Sequence, residues 1–271
     1  MIKFSTTITC QYDTSFSPFS AAEYDQALDW VYSSGFDGAE LCIANYDGLD
    51  VKKLKKDLEE RGLGCSTIST GQARTLEDIS LIHDDPGAQQ KAQRRIFEHI
   101  DAAAVLGSKV TIGLLRGLGE TGRLSTQTKL LMKNLEPCLE YAQSRRVVLL
   151  LEAINRYETA IINSAEQALA FIAAMGAPEC LGILWDVFHA NIEDDTFDQA
   201  IDSMGDQLQH VHLADSNRAF PGWGHIDFDS VYDRLKAAGY SEYLSFECIN
   251  RPSAQVVREQ SAGFISRLRR R

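Results

Sequence analysis

The chain lacks the cysteine pattern of a disulfide-stapled or zinc-ribbon protein. Cys10, Cys42, Cys65, Cys138, Cys180 and Cys248 form no C-x-x-C pair and no cluster. They read as free thiols of a reducing compartment, and a cytoplasmic protein is the expectation. A basic excess is also missing: 27 Lys and Arg against 38 Asp and Glu leave a net charge of −11. A broad nucleic-acid or anionic-membrane surface needs clustered positive charge, so neither partner is expected. The one basic cluster, Arg267-Leu-Arg-Arg-Arg271, reads as a solvated helix end. No apolar run approaches the ~20 residues of a membrane span. The N-terminus reads as a strand, without the apolar core of a signal peptide. No Pro- or Ser-rich linker divides the 271 residues.

What is present is alternation. Strand-like runs occur at Ile2–Ile8, Ala39–Ile43, Cys65–Ser69, Lys109–Leu114, Val147–Leu151 (ending on Glu152), Leu181–Asp186, Gln209–Ala214 and Tyr243–Glu247. Helical segments follow them. Ser20 caps a helix to Ser34, and a charged helix spans Val51–Arg61. Pro86 opens one that Gly107 ends, after a long loop, Thr70 to Pro86. Ser125 caps one to Arg145 and Ser164 one to Met175. Thr196–Met204, a segment from Asp227 or Asp229 to Ala238, and Ser253 to the end complete the set. Eight such repeats predict an α/β fold, a closed (β/α)8 TIM barrel in one domain over residues 1–271, with an open doubly wound sheet as the alternative.

Four polar residues occupy equivalent places in the C-terminal half: Glu152, Asp186, His212 and Glu247. Each lies near the C-terminal end of its strand, where such barrels carry their chemistry. Side chains alternate along a strand, so Glu152 shares a face with Leu150 and Asp186 with Leu184. With that face inward, the four converge. Three carboxylates in a small dry site require a cation or protons. An oxygen-rich set with one imidazole suits Mn²⁺ best, with Mg²⁺ or Co²⁺ possible and Zn²⁺ less suited. Singly, each residue could be satisfied by loop backbone or a salt bridge. His210 lies one layer deeper and reads as a hydrogen-bonded core residue. His99 falls in a helix, His83 and His225 in loops. Arg116, in a Gly-rich loop, reads either as a carboxylate or phosphate ligand or as a surface ion pair.

At these residues the chain resembles the xylose-isomerase-like barrels, and within them the ketose 3-epimerases. The resemblance rests on L-E-A-I-N-R-Y-E (151–158), W-D-V-F-H-A-N-I-E-D (185–194), H-V-H-L-A-D-S-N-R (210–218), G-W-G-H-I-D-F (222–228) and F-E (246–247). It implies metal ligands at Glu152, Asp186, His212 and Glu247, and substrate contacts at Glu158, His189 and Arg218. It implies C3 epimerisation of a small sugar, a ketose, with Glu152 and Glu247 as the proton-transfer pair, in a homodimer or homotetramer. Aldose–ketose isomerases, hydroxypyruvate isomerases and inosose dehydratase-like lyases are alternatives on the same site. Endonuclease IV shares the barrel but needs further histidines from the N-terminal half. That half offers only His83 and His99, neither at a strand end.

Overall fold

Strands of this chain are buried on both faces, as strands wrapped by helices must be; every residue of Leu149–Glu152 and of Leu181–Asp186 is buried. The computed structural model describes residues Met1–Arg271. Its strands are β1 (Lys3–Thr9), β2 (Gly38–Cys42), β3 (Gly64–Ser69), β4 (Lys109–Ile112), β5 (Leu149–Glu152), β6 (Leu181–Asp186), β7 (Leu208–Leu213) and β8 (Tyr243–Phe246). All pair in parallel in chain order. β8 closes on β1 from Lys3↔Tyr243 to Thr6↔Phe246, giving the expected closed TIM barrel.

The helices are α1 (Tyr24–Ser33), α2 (Val51–Glu59), α3 (Gly71–Glu77), α4 (Pro86–Leu106), α5 (Leu124–Arg145), α6 (Ala165–Ala174), α7 (Val187–Glu193), α8 (Phe197–Met204), α9 (Phe228–Ala237) and α10 (Ala254–Arg269). Their starts follow local chemistry. The Asp85 side chain accepts from Gly87 N, Pro86 needs no partner at the first turn, and Gly107 ends α4 at φ 68°. Ser164, Thr196 and Ser253 cap α6, α8 and α10. The Ser125 cap is not formed: the N-cap is Arg123, two residues earlier, and it makes no side-chain cap bond. No helix is long and apolar enough to cross a membrane. All six cysteines are free.

Two helices depart from the sequence reading, and both lie over the mouth of the barrel. The stretch expected as loop after β3 contains α3, in which only Ala73 is buried; without an apolar stripe it carries no helical period to read. The segment after β6 turns at once into α7, because the Asp186 side chain accepts from Phe188 N and His189 N and so serves as its cap. β4 is shorter than expected, since Leu114–Arg116 forms a single 3₁₀ turn. The basic tail is tied down by ion pairs of Arg267, Arg269 and Arg271 with Asp229, Asp37 and Asp233.

Candidate metal and proton-transfer site

β5 to β8 are consecutive neighbours, and their register sets Glu152 level with Leu184, Asp186 with His212, and His212 with Ser245. Glu247 follows β8 directly. The barrel thus brings together the four residues picked out in the sequence: Glu152, Asp186, His212 and Glu247 each offer a ligand atom within 4.8 Å of the others'. His212 Nδ1 lies 3.2 Å from Glu247 Oε2, 3.8 Å from Asp186 Oδ2 and 3.9 Å from Glu152 Oε1.

The electrostatics of this cluster are those of a site built around a cation. Burial, reinforced by Glu247 and Asp186, pushes the Glu152 carboxyl up to about 8 against the pull of His212 and Arg116. Burial works against a charge on His212, yet Glu40 and Glu247 hold it well above the usual histidine range. Burial likewise opposes ionisation of Asp186, but His189 and His212 bring it down to about 2. Without a cation, the cluster therefore retains protons to balance its charge. Asp186 Oδ2 and His212 Nδ1 are buried and make no hydrogen bond, although Asp186 Oδ1 is engaged with α7. Two unpartnered donor atoms among three carboxylates fit a divalent cation held by Glu152, Asp186, His212 and Glu247.

Behind His212 stands Glu40, reaching across from β2. Its Oε2 lies 3.1 Å from both His210 Nε2 and His212 Nε2. Burial would raise the Glu40 pKa, but His212 and His210 more than offset it and hold the carboxyl well below the usual range. An ionised carboxylate only accepts, so each histidine donates from Nε2, and a cation that displaced the second proton of His212 would meet the Nδ1 lone pair. His210 is a hydrogen-bonded core residue, as expected.

Above the cluster lies a cavity of about 280 Å³, lined by Glu152, Glu247, Glu158, His189 and Arg218, with Tyr12, Phe16, Gln72 and Leu76 among the residues of its outer wall. Arg218 Nη1 donates to both oxygens of Glu158, at 2.9 and 3.0 Å. Its guanidinium lies over Phe16 and Phe188 at 4.8 and 5.1 Å from the ring centres. Arg218 adopts φ 61°, a strained backbone costing roughly 1–3 kcal/mol for a residue with a side chain. Two backbone bonds hold it there: its N–H to Asp215 O at 2.7 Å, and Ile249 N–H to its carbonyl at 2.8 Å. His189, on α7, sets Nε2 3.9 Å from both Glu152 Oε1 and Asp186 Oδ2. Burial keeps it below the usual histidine pKa, with Arg218 assisting and Asp186 opposing.

The remaining candidates fall outside the site. His99 is buried in α4 against Tyr46 Oη at 2.8 Å, and His83 Nδ1 accepts from Asp85 N. His225 meets Ser216 on the surface. Arg116 is neither a surface ion pair nor a cavity residue. It is fully buried and donates to the carbonyls of Gly113, Ile161 and Ile162, tying the loops after β4 and β5 together; burial pushes it down to about 10. Sequence reasoning missed the roles of Glu40, Asn155 and Gly113. For Glu40 the signal was a carboxylate within a wholly apolar strand. For Gly113 there was none: a Cβ there would lie 2.3 Å from Glu152 Oε2.

Comparison with known proteins agrees with the barrel fold. The model of the xylose isomerase-like TIM barrel family matches residues 28–268. An L-ribulose 3-epimerase of Mesorhizobium japonicum is 31% identical over 241 residues, covering 88% of this chain and 78% of that protein. A 3-dehydro-D-guloside 4-epimerase of Escherichia coli is 29% identical, covering 80% of this chain and 84% of its own length. A solved L-ribulose 3-epimerase structure superposes with a TM-score of 0.84 at 25% identity, over 99% of this chain and 94% of the other.

Proposed function

We propose that this chain, which belongs to the xylose isomerase-like TIM barrel family, is a metal-dependent isomerase that inverts C3 of a ketose. The observation that supports this best is the pair of carboxylates Glu152 and Glu247, carried by β5 and by the residue after β8, in one cavity around a point suited to a cation. A bound divalent cation would stabilise negative charge on the substrate's carbonyl and neighbouring hydroxyl oxygens; the oxygen-rich donor set favours Mn²⁺ over Mg²⁺, Co²⁺ or Zn²⁺. One of the two glutamates takes the proton from C3. The electron pair of that bond moves into the carbonyl, giving an enediolate. The other glutamate returns a proton to the opposite face, which inverts the centre. His189 and Arg218 donate to the oxygen that gains charge. Glu158, held by Arg218, orients the hydroxyl on C1. Similarity to the epimerases also favours a homodimer or homotetramer working in the cytoplasm.

The test is proton NMR in D₂O on protein stripped of metal and resupplied with Mg²⁺, across ketoses, aldoses, 3-keto sugars and their phosphates. Metal-dependent exchange at C3 of a ketose is the expected result. Exchange at C1 of a ketose or C2 of an aldose would make the enzyme an aldose–ketose isomerase. Exchange at C4 of a 3-keto sugar would align it with the Escherichia coli relative. Glu152→Gln should cut turnover by up to about 10⁴-fold, with the fold retained; a Gln variant of unchanged activity would refute the two-base scheme.

A further inference from the structure

Asn155, in the loop after β5, does not itself line the cavity but stands behind two residues that do, and it is almost wholly buried, at 1% exposure. Its amide orientation is determined by partners of known polarity. The backbone N–H of Tyr157, which can only donate, lies 2.9 Å from Oδ1. The Glu158 carboxylate, which can only accept, places Oε1 3.0 Å from Nδ2. Turning the amide over would set donor against donor and oxygen against oxygen. Nδ2 also lies 2.7 Å from His189 Nδ1. Of its two hydrogens one goes to Glu158, and the other points at the imidazole.

We infer that Asn155 is a positioning residue that locks His189 in the Nε2–H tautomer, so that the nitrogen facing the cavity is a hydrogen-bond donor only. A ring nitrogen that accepts from an amide has no proton of its own, and the single proton of the neutral ring must then sit on Nε2. A protonated Nε2 has no lone pair. It can neither ligate the cation beside it nor take a proton from substrate. It makes no hydrogen bond to Glu152 or Asp186, from which it stands 3.9 Å away, so it remains free to donate to a substrate oxygen that gains charge. That last step rests on the epimerase reading; the tautomer does not.

Long-range ¹H–¹⁵N correlation NMR on histidine-labelled, Mg²⁺-supplied protein tests this, with His189 identified by the signals lost in His189→Gln. A pyridine-type shift at Nδ1 and a pyrrole-type shift at Nε2 are expected in the unmodified protein. A protonated Nδ1 would overturn the inference whatever the substrate proves to be. Asn155→Asp gives the second arm. Its carboxylate keeps the bond from Tyr157 but now offers His189 an acceptor, so the tautomer should reverse. With the active ketose, kcat should then fall about 10²–10³-fold while KM changes far less. An Asp variant that reverses the tautomer at full kcat, or that keeps Nε2–H, removes the positioning role. Should Asn155→Asp fail to fold, the unmodified protein still decides the tautomer. Should no sugar be turned over, the epimerase reading falls while the spectrum still decides the tautomer.

Discussion

His212 and His189 flank one pair of carboxylates, Glu152 and Asp186, and the protein treats them in opposite ways. Behind His212 stands an acceptor, Glu40, which fixes a proton on Nε2 and turns Nδ1 toward the carboxylates, where a cation can take the place of its proton. Behind His189 stands a donor, Asn155, which occupies Nδ1 and leaves a proton on Nε2. On the proposed function, one imidazole is thereby fitted to bind a cation and the other to donate to an anion. What the ring does is decided by the polarity of the group behind it, at a distance of one hydrogen bond.

The largest effect that could break this contrast lies in metal affinity. His212→Gln should weaken divalent-metal binding, measured by calorimetry, by more than the ~100-fold that loss of an outer partner can cost. His189→Gln should leave that affinity nearly unchanged while kcat falls about 10²–10³-fold. If His189→Gln sheds the metal too, the two histidines are not distinct. Next in size is Glu40→Gln. It should cost about 10–100-fold in metal affinity, through the loss of a fixed tautomer on His212, without moving the ¹⁵N signals of His189. Gly113→Ala leaves both histidines alone and crowds Glu152, since the added Cβ would lie 2.3 Å from Oε2. A loss of about tenfold in kcat with intact metal binding is expected, or ~1.4 kcal/mol of barrier; an unchanged kcat would show that Glu152 can shift without consequence.

His99 provides a control that leaves the site untouched, an imidazole buried outside it. Burial, aided by Arg95, pushes it down to about 3. The unfolded chain therefore binds more protons than the folded one between that value and the ordinary ~6.5. Its contribution to stability is complete above ~6.5 and is lost as pH falls toward 3, at no more than about 1.4 kcal/mol per pH unit. Urea unfolding at pH 6.5 and 5 should show the unmodified protein losing up to about 2 kcal/mol more than His99→Gln. Equal losses would mean that His99 is not held neutral.

The contrast also marks how far the sequence could be read. The barrel was legible because strand runs and capped helices alternate through the chain, and the candidate cation cluster because each of its residues lies at or beside the C-terminal end of a strand. The short helices were not. α3 buries only Ala73, and α7 begins on Asp186, whose strand-end carboxylate already had a reading as a ligand. Arg116 looked exposed because its loop is rich in glycine, whereas the fold folds two loops over it and gives it carbonyls to bind. Glu40 is 170 residues from His210 in the chain, and Asn155 is 34 from His189. Which atom of an amide faces which nitrogen of a ring has no one-dimensional trace.

Asp186 has a consequence for anyone who would move this chemistry to another scaffold. Its Oδ1 begins α7 and its Oδ2 looks into the cation cluster, so the four residues Asp186 to His189 form one cassette. A graft that copies the ligand alone loses the origin of the helix, and with it the height and azimuth of His189. A graft that copies the helix alone carries a carboxylate that wants a cation. The transplantable unit is the strand end with its first helical turn, taken together with the loop that holds Asn155.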